Sequence, residues 1–523
     1  MFQNSSLHTL NSYLQRDEVS SRAIDAILFL ALAAALGFVL IFSPPVWQHG
    51  EAREGLVVES ILQNHDWVLP LRNGELPSKP PLFHWIAAVF AMLLGFSDTI
   101  VRLPSLLAAM IMILATFCFA KATNGRGTAW LAVAVLLGTY EFWDSATEAR
   151  LDMIFSAAVT VCLAAWFSWF RTRHFKPQLA CYLAVACAVL SKGPAGLVLP
   201  AAVILGFLWL EGESGRIIDF WSWPLVALVI VLDLGWYGAA LFVGGKPFVM
   251  KQIVSENIDR FAGTGIFSEH QRTLIPFAWL ATRLFPWNIA LLIALVRRLR
   301  GQKEDATGRF LHAWWSIIFV LFFLSAGQRA VYLLPLYPAV ALLAGRILSR
   351  YIEGGHSVRI IPQTLHRLLP GVRSEASRNF LVVASAVALV GLCLAIATPV
   401  IRWSKMERSS QTDFVEKTKA LVSEGASLKA APTFPETTLI VLAYRLERQI
   451  PRTAPTCQES GYYLTKRSDL PPCLMAQREL ASTGQSDKSL VLVETIDHPM
   501  NRSLEYRSGK AKLNSELKTR SSR

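Results

Sequence analysis

Long apolar runs alternate with polar connectors along most of this chain. The runs cover 24–42, 101–120, 128–143, 151–170, 178–191, 194–210, 221–243, 275–296, 310–326, 331–348 and 380–401. Continuous runs of this kind predict helices that cross a hydrocarbon core about 30 Å thick. A barrel would show short segments alternating with period two instead. One more run, 82–95 (LFHWIAAVFAMLLG), is short for a span and reads as an interfacial or re-entrant helix. After residue 402 the pattern changes. TLIVLAY (438–444), GYYLTKR (461–467) and SLVLVE (489–494) read as strands and 413–425 as a helix, so a small α/β domain is expected. The tail from Asn501, rich in Ser, Lys and Arg, reads as disordered.

The expected architecture is an all-α polytopic membrane domain of about eleven transmembrane helices plus interfacial helices, with a small C-terminal α/β soluble domain. The predicted segments are an inner N-terminus (1–23), a membrane domain (24–401) with a long first outer loop (43–100), a soluble domain (402–500) and a tail (501–523). Composition agrees: 53% of the residues are hydrophobic and only 17% charged, less charge than a soluble protein carries. Residues 1–20 are polar, so the run 24–42 reads as a retained anchor rather than a cleaved signal.

The net charge of +13 does not mark a nucleic-acid binder. The Lys and Arg residues fall in connectors, where the positive-inside rule puts them. With the N-terminus inside and 82–95 not spanning, the basic loops Lys121/Arg126, Arg171–Lys176, Arg297–Lys303 and 349–379 all fall inside. The loops 43–100, 144–150, 191–193, 244–274 and 327–330, and the chain after 402, then fall outside. Of the seven cysteines, five lie in apolar runs; Cys457 and Cys473 lie in the outer region, where a disulfide between them is expected.

Every unusual polar motif faces that outer side. Glu51, Arg53 and Glu54 follow the first span. TEARLDM (147–153) carries Glu148, Arg150 and Asp152. SKGP (191–194) puts Lys192 at a break between two runs. ENIDRF (256–261) and EHQR (269–272) supply Glu256, Arg260 and His270, and AGQRAVYLLPLYP (326–338) supplies Arg329 and Tyr332. Any one of these could be an interfacial charge or a structural ion pair. Five on one face mark a site, because ionisable groups near a membrane's depth are costly to keep. Carboxylates can take a proton from an acceptor hydroxyl, and Lys and Arg can stabilise a departing phosphate. The sequence carries no Gly-rich nucleotide loop, HExxH or Ser–His–Asp order. A phosphate-bearing lipid as substrate fits these residue types.

The residues also carry a family resemblance. GEAREGLVVESILQNHDWVLPLRNGELPSKPPLFHW resembles the first outer loop of GT-C glycosyltransferases related to protein O-mannosyltransferase and the aminoarabinose transferase of lipid A. VRLPSLLAAM (101–110), ARLDM (149–153), SKGPAGLVLP (191–200), FPWN (285–288) and GQRAVYLLPLYPAVALLAG (327–345) continue it in order over roughly residues 24–350. The resemblance implies a GT-C fold in the bacterial inner membrane, with the active site and C-terminal domain facing the periplasm. It implies transfer of a sugar from a polyprenyl-phosphate-linked donor to a lipid, glycan or protein acceptor. Lys79 of SKPP matches the lysine that contacts the lipid phosphate, Asp152 the acid of the second outer loop, and Arg329 and Tyr332 the phosphate-facing stretch; Lys192 is a further phosphate candidate. Arg53, Glu148, Arg150, Glu256, Arg260 and His270 are supporting candidates. The family's Asp–Glu pair is Gly50–Glu51 here, and its frequent Lys before the Arg is Gln328. Glu51 is therefore expected to be the base with Asp152 as partner. No required cofactor is visible; a divalent metal on Glu51 and Asp152 stays open. A lipid-linked sugar flippase and a catalytically degenerate relative are the alternatives.

Overall fold

The computed structural model describes all residues except 1–2, 265–272, 354–374, 424, 455–459, 471–473, 475–477, 485, 487 and 496–523. His270, Cys457, Cys473 and the tail from Asn501 therefore lie outside the described residues. The chain separates into two compact units.

The first unit comprises residues 1–43, 78–90 and 99–401. In chain order its helices include α1 (Gln3–Ile41), then, after α2 (His49–Asn64) of the second unit, α3 (Leu82–Leu94) and α4 (Asp98–Asn124). These are followed by α5 (Arg126–Leu137), α6 (Tyr140–Ala146), α7 (Leu151–Thr172), α8 (Phe175–Lys192) and α9 (Ala195–Glu211). Next come α10 (Arg216–Phe220) and α11 (Trp223–Val249). Further helices run over Ala306–Leu324, Tyr337–Glu353 and Glu375–Glu407. The core is built on aromatic contacts: Phe167 stacks on Phe310 with ring centroids 4.6 Å apart, and Trp166 and Phe207 meet edge to face at 5.9 Å.

This is a multi-span membrane protein. Among the described residues seven helices are long and apolar enough to cross a membrane, or eight if a bent pair is one span, against the eleven expected from the sequence. The difference has a local cause. The expected span 275–296 is two helices, Ile275–Arg283 and Trp287–Leu299, bent by 111°. The run 128–143 is broken after Leu137, and Ala195–Glu211 is only 17 residues long. Apolar runs record burial as well as span length, so short helices packed inside a bundle read like spans. The run 82–95 forms the 13-residue α3, short as expected.

The second unit gathers residues 44–77, 91–98 and 402–523. The sequence reading grouped the first outer loop with the membrane domain; the structure packs most of it with the C-terminal chain. Val46, Ala52 and Leu56 join Phe414, Phe434, Tyr444 and Leu492 in one buried core. Polar ties lock the same arrangement: Arg72 meets Glu436 at 2.9 Å, Asn73 Nδ2 donates to the Ile450 carbonyl at 3.2 Å, and the Tyr444 hydroxyl donates to Asp98 at 2.7 Å. Four strands, β1 (Leu428–Ala430), β2 (Gly461–Lys466), β3 (Arg478–Ser482) and β4 (Leu490–Thr495), form a sheet in the order β1-β2-β4-β3. β1 is parallel to β2, and the other pairings are antiparallel.

Two of the expected strands are β2 and β4, and the expected helix near 413–425 is Ser410–Leu421. TLIVLAY is not a strand; it lies in the helix Glu436–Arg445. Thr438 through Tyr444 are all buried, so no exposed face interrupts the apolar run. Such a run carries no period to separate helix from strand. Pro435 and Glu436 at its start supply the helix-initiating chemistry that decides it.

Candidate functional site

The candidate site lies in the first unit, where several helix ends meet. Arg150 is the extended N-cap of α7, its carbonyl accepting from Ser105 Oγ at 3.1 Å. This sets Asp152 in the first turn of α7, where a helix N-terminus favours a carboxylate. At the neighbouring end of α8, Gly193 (φ 72°) stops the helix and donates its N–H to the Val189 carbonyl at 2.7 Å. A left-handed φ suits glycine, so SKGP is both a helix break and the mount for Lys192. Lys192 Nζ pairs with Asp152 and stands 4.8 Å and 4.6 Å from the ring centroids of Phe155 and Tyr332.

A second set centres on Glu256 in a π-helical segment, Met250–Asp259, that follows α11. Glu256 carries two cations: Lys79 at 3.4 Å and Arg260 at 3.0 Å. Lys79 Nζ also donates to the Glu256 carbonyl at 3.2 Å. Burial holds the Lys79 ammonium below the ordinary lysine range, against the pull of Glu256. The loop after Ala306–Leu324 docks on the same segment: the Ala326 and Gly327 N–H groups donate to the carbonyls of Phe261 and Arg260, each at 3.1 Å. Gln328 accepts from the Thr273 hydroxyl at 2.7 Å and donates to the Phe323 carbonyl at 3.1 Å. Its amide therefore fastens the loop.

Both sets border a cavity of about 340 Å³ lined by Lys79, Phe155, Lys192, Glu256, Arg260 and Tyr332 among others. Three cations and one carboxylate converge on apolar walls. That arrangement suits a phosphate on an apolar chain. The structure brings the sequence candidates Lys79, Lys192 and Tyr332 to one cavity, and Glu256 and Arg260, supporting candidates in the sequence, line it as well. Arg329 is exposed and outside that lining, within electrostatic reach of Asp152 and Tyr332. Glu148 and Arg150 pair with each other at 3.4 Å. Phe155 escaped the sequence reading, because one aromatic in an apolar run carries no signal of its own.

Glu51 belongs to the second unit. It sits in the first turn of α2 and is buried. Its neighbour Arg53 bonds to Glu54, with Nε at 2.9 Å from Oε1. Among the described residues no group of three or more His, Cys, Asp or Glu side chains is placed to hold a metal ion.

Comparison with known proteins gives these residues a context. A family model of dolichyl-phosphate-mannose-protein mannosyltransferases matches residues 78–236, which include Lys79, Asp152 and Lys192. A crystal structure of ArnT from Cupriavidus metallidurans bound to undecaprenyl phosphate superposes with a TM-score of 0.72 over 90% of this chain and 98% of that one, at 16% identity. The chain thus resembles the mannosyltransferase family model over part of its sequence and the ArnT structure in its fold. Undecaprenyl phosphate-alpha-4-amino-4-deoxy-L-arabinose arabinosyl transferases from Shewanella sediminis and Pseudomonas fluorescens are 24% and 27% identical to it. Those alignments cover 63% and 61% of this chain, and 62% and 57% of the relatives, so under two thirds of either relative's length is matched.

Proposed function

We propose that this protein is a glycosyltransferase that moves a sugar from a polyprenyl-phosphate-linked donor to a lipid, glycan or protein acceptor on the periplasmic face of a bacterial inner membrane. The observation that carries the reading is the cavity shared by Lys79, Lys192 and Arg260. A donor phosphodiester carries one negative charge. When the bond from phosphate oxygen to the sugar's anomeric carbon breaks, the electron pair stays on the phosphate and its charge rises toward two. Fixed cations therefore gain more from the departing phosphate than from the bound donor, which is what lowers a barrier. The acceptor oxygen bonds to the anomeric carbon and its proton goes to a carboxylate. We assign that proton to Glu51, the acid that the sequence favours, with Asp152 as the alternative.

The orientation is supported by charge. Asp152 and Lys192 lie at one end of α7 and α8, while Arg171, Arg173 and Lys176 lie at the other, and basic ends face the cytoplasm. A flippase would want polar groups along its route, whereas this cluster gathers at one end.

The test is reconstitution in sealed lipid vesicles with a labelled polyprenyl-phosphate sugar and an envelope extract as acceptor, with and without chelator to decide the metal question. Release of polyprenyl phosphate with label in the acceptor is the expected outcome. Donor that crosses the bilayer intact, with no release, would overturn the reading. In the same assay Glu51→Gln should lose at least a hundredfold in turnover with folding intact, by the usual worth of a positioned acid or base, about 10²–10⁴. Normal turnover in Glu51→Gln beside an inactive Asp152→Asn would move the base to Asp152.

A further inference from the structure

A second cavity, of about 600 Å³, opens between α4, α7 and α8. Its floor is made small by Ala115, Ala164 and Ala165, and Arg171 and Lys176 stand at its mouth. Arg171 lies 19 residues beyond Asp152 on α7. At 1.5 Å per residue that is about 28 Å, close to the full depth of a hydrocarbon core. This groove therefore belongs to the opposite leaflet from the phosphate cavity.

Tryptophans mark the depth of the mouth. Trp209 near the end of α9, and Trp221 and Trp223 at the start of α11, are 75%, 50% and 72% exposed, the placement of an interfacial aromatic belt. The acids at this end serve other cations. Asp25 holds Arg126 at 2.8 Å and Lys121 at 3.3 Å, Asp219 holds Arg173 at 3.5 Å, and Glu211 and Glu213 hold Arg309 and Arg216. Among the described residues no carboxylate pairs with Arg171 or Lys176, and both are exposed. An apolar groove with two uncompensated cations at headgroup level has the complement of an anionic lipid.

We propose that this groove binds an anionic glycerophospholipid, with an acyl chain along the alanine floor and the phosphate at Arg171 and Lys176. The claim does not depend on the transfer reaction. Its test is lipid retention by the full-length protein, taken from nanodiscs of mixed phosphatidylglycerol and phosphatidylethanolamine and measured by native mass spectrometry. Wild type should retain phosphatidylglycerol at least fivefold over phosphatidylethanolamine. The double variant Arg171→Ala/Lys176→Ala should lose that preference, both residues being exposed and outside the packed core. Ala164→Trp, which fills the groove and keeps both cations, should lose retention of the lipid altogether. Equal retention of the two lipids by wild type, or a preference unchanged in the double variant, would overturn the proposal. Displacement by polyprenyl phosphate at equal concentration would assign the groove to the carrier lipid and overturn it as well.

Discussion

Removing the Lys79 ammonium separates binding of a phosphate from holding the fold. In Lys79→Ala, Glu256 loses one of its two cations but keeps Arg260 at 3.0 Å. The carboxylate stays compensated, so the cost to folding should be about 1–3 kcal/mol, the range for losing a hydrogen bond to a charged group. The loss in transfer should be larger in its consequence. The Lys79 side chain is only 15% exposed, so water cannot replace it beside a departing phosphate. Losing one such stabiliser should lower turnover by about 10²–10³. Release of polyprenyl phosphate from saturating donor in nanodiscs measures this, with a thermal melt on the same sample. Lys79→Arg keeps a charge and should recover part of the activity. A pH profile adds a second signature. Burial lowers the Lys79 pKa, so its charge is lost on the alkaline side earlier than for a solvated lysine, and wild-type activity should fall there. That fall should be absent in Lys79→Arg, because guanidinium does not titrate in this range. Turnover and donor KM within twofold of wild type in Lys79→Ala would remove this lysine from the site.

Glu59 of α2 is buried, with Glu447 acting on it, and its pKa is raised from 4.5 to about 7, burial being the larger cause. The folded state holds that proton more tightly than the unfolded one, so its contribution is present below about pH 4.5 and lost as pH rises toward 7; Glu59→Gln should then raise stability near pH 8 by about 1–2 kcal/mol and flatten the slope between, as read by Tm against pH. A Cβ at Gly55 would collide with the Tyr444 ring, so Gly55→Ala should cost about 1–3 kcal/mol by overpacking the second unit, seen as a lower Tm and earlier proteolysis. A reporter fused at Thr433 should read as periplasmic, and a cytoplasmic signal would invert the proposed topology.

The sequence by itself determined the membrane class, the GT-C resemblance and most of the charged residues that line the cavity. Those properties are local. Apolar length reports a helix in lipid, and SKPP, ARLDM and SKGP each place a charge beside a helix end or break. Tertiary structure alone decided which charges meet. Lys79 and Glu256 are far apart in sequence and join only because the π-helical segment after α11 turns Glu256 and Arg260 toward the SKPP loop. It likewise gave most of the first outer loop to the C-terminal unit, through the burial of Val46, Ala52 and Leu56 against Phe414 and Tyr444. TLIVLAY carries no period because all of its residues are buried, and the helix start at Pro435 and Glu436 settles it. Hydrophobicity says that a residue must leave water, while the partner that takes it in is fixed only when the whole chain is packed.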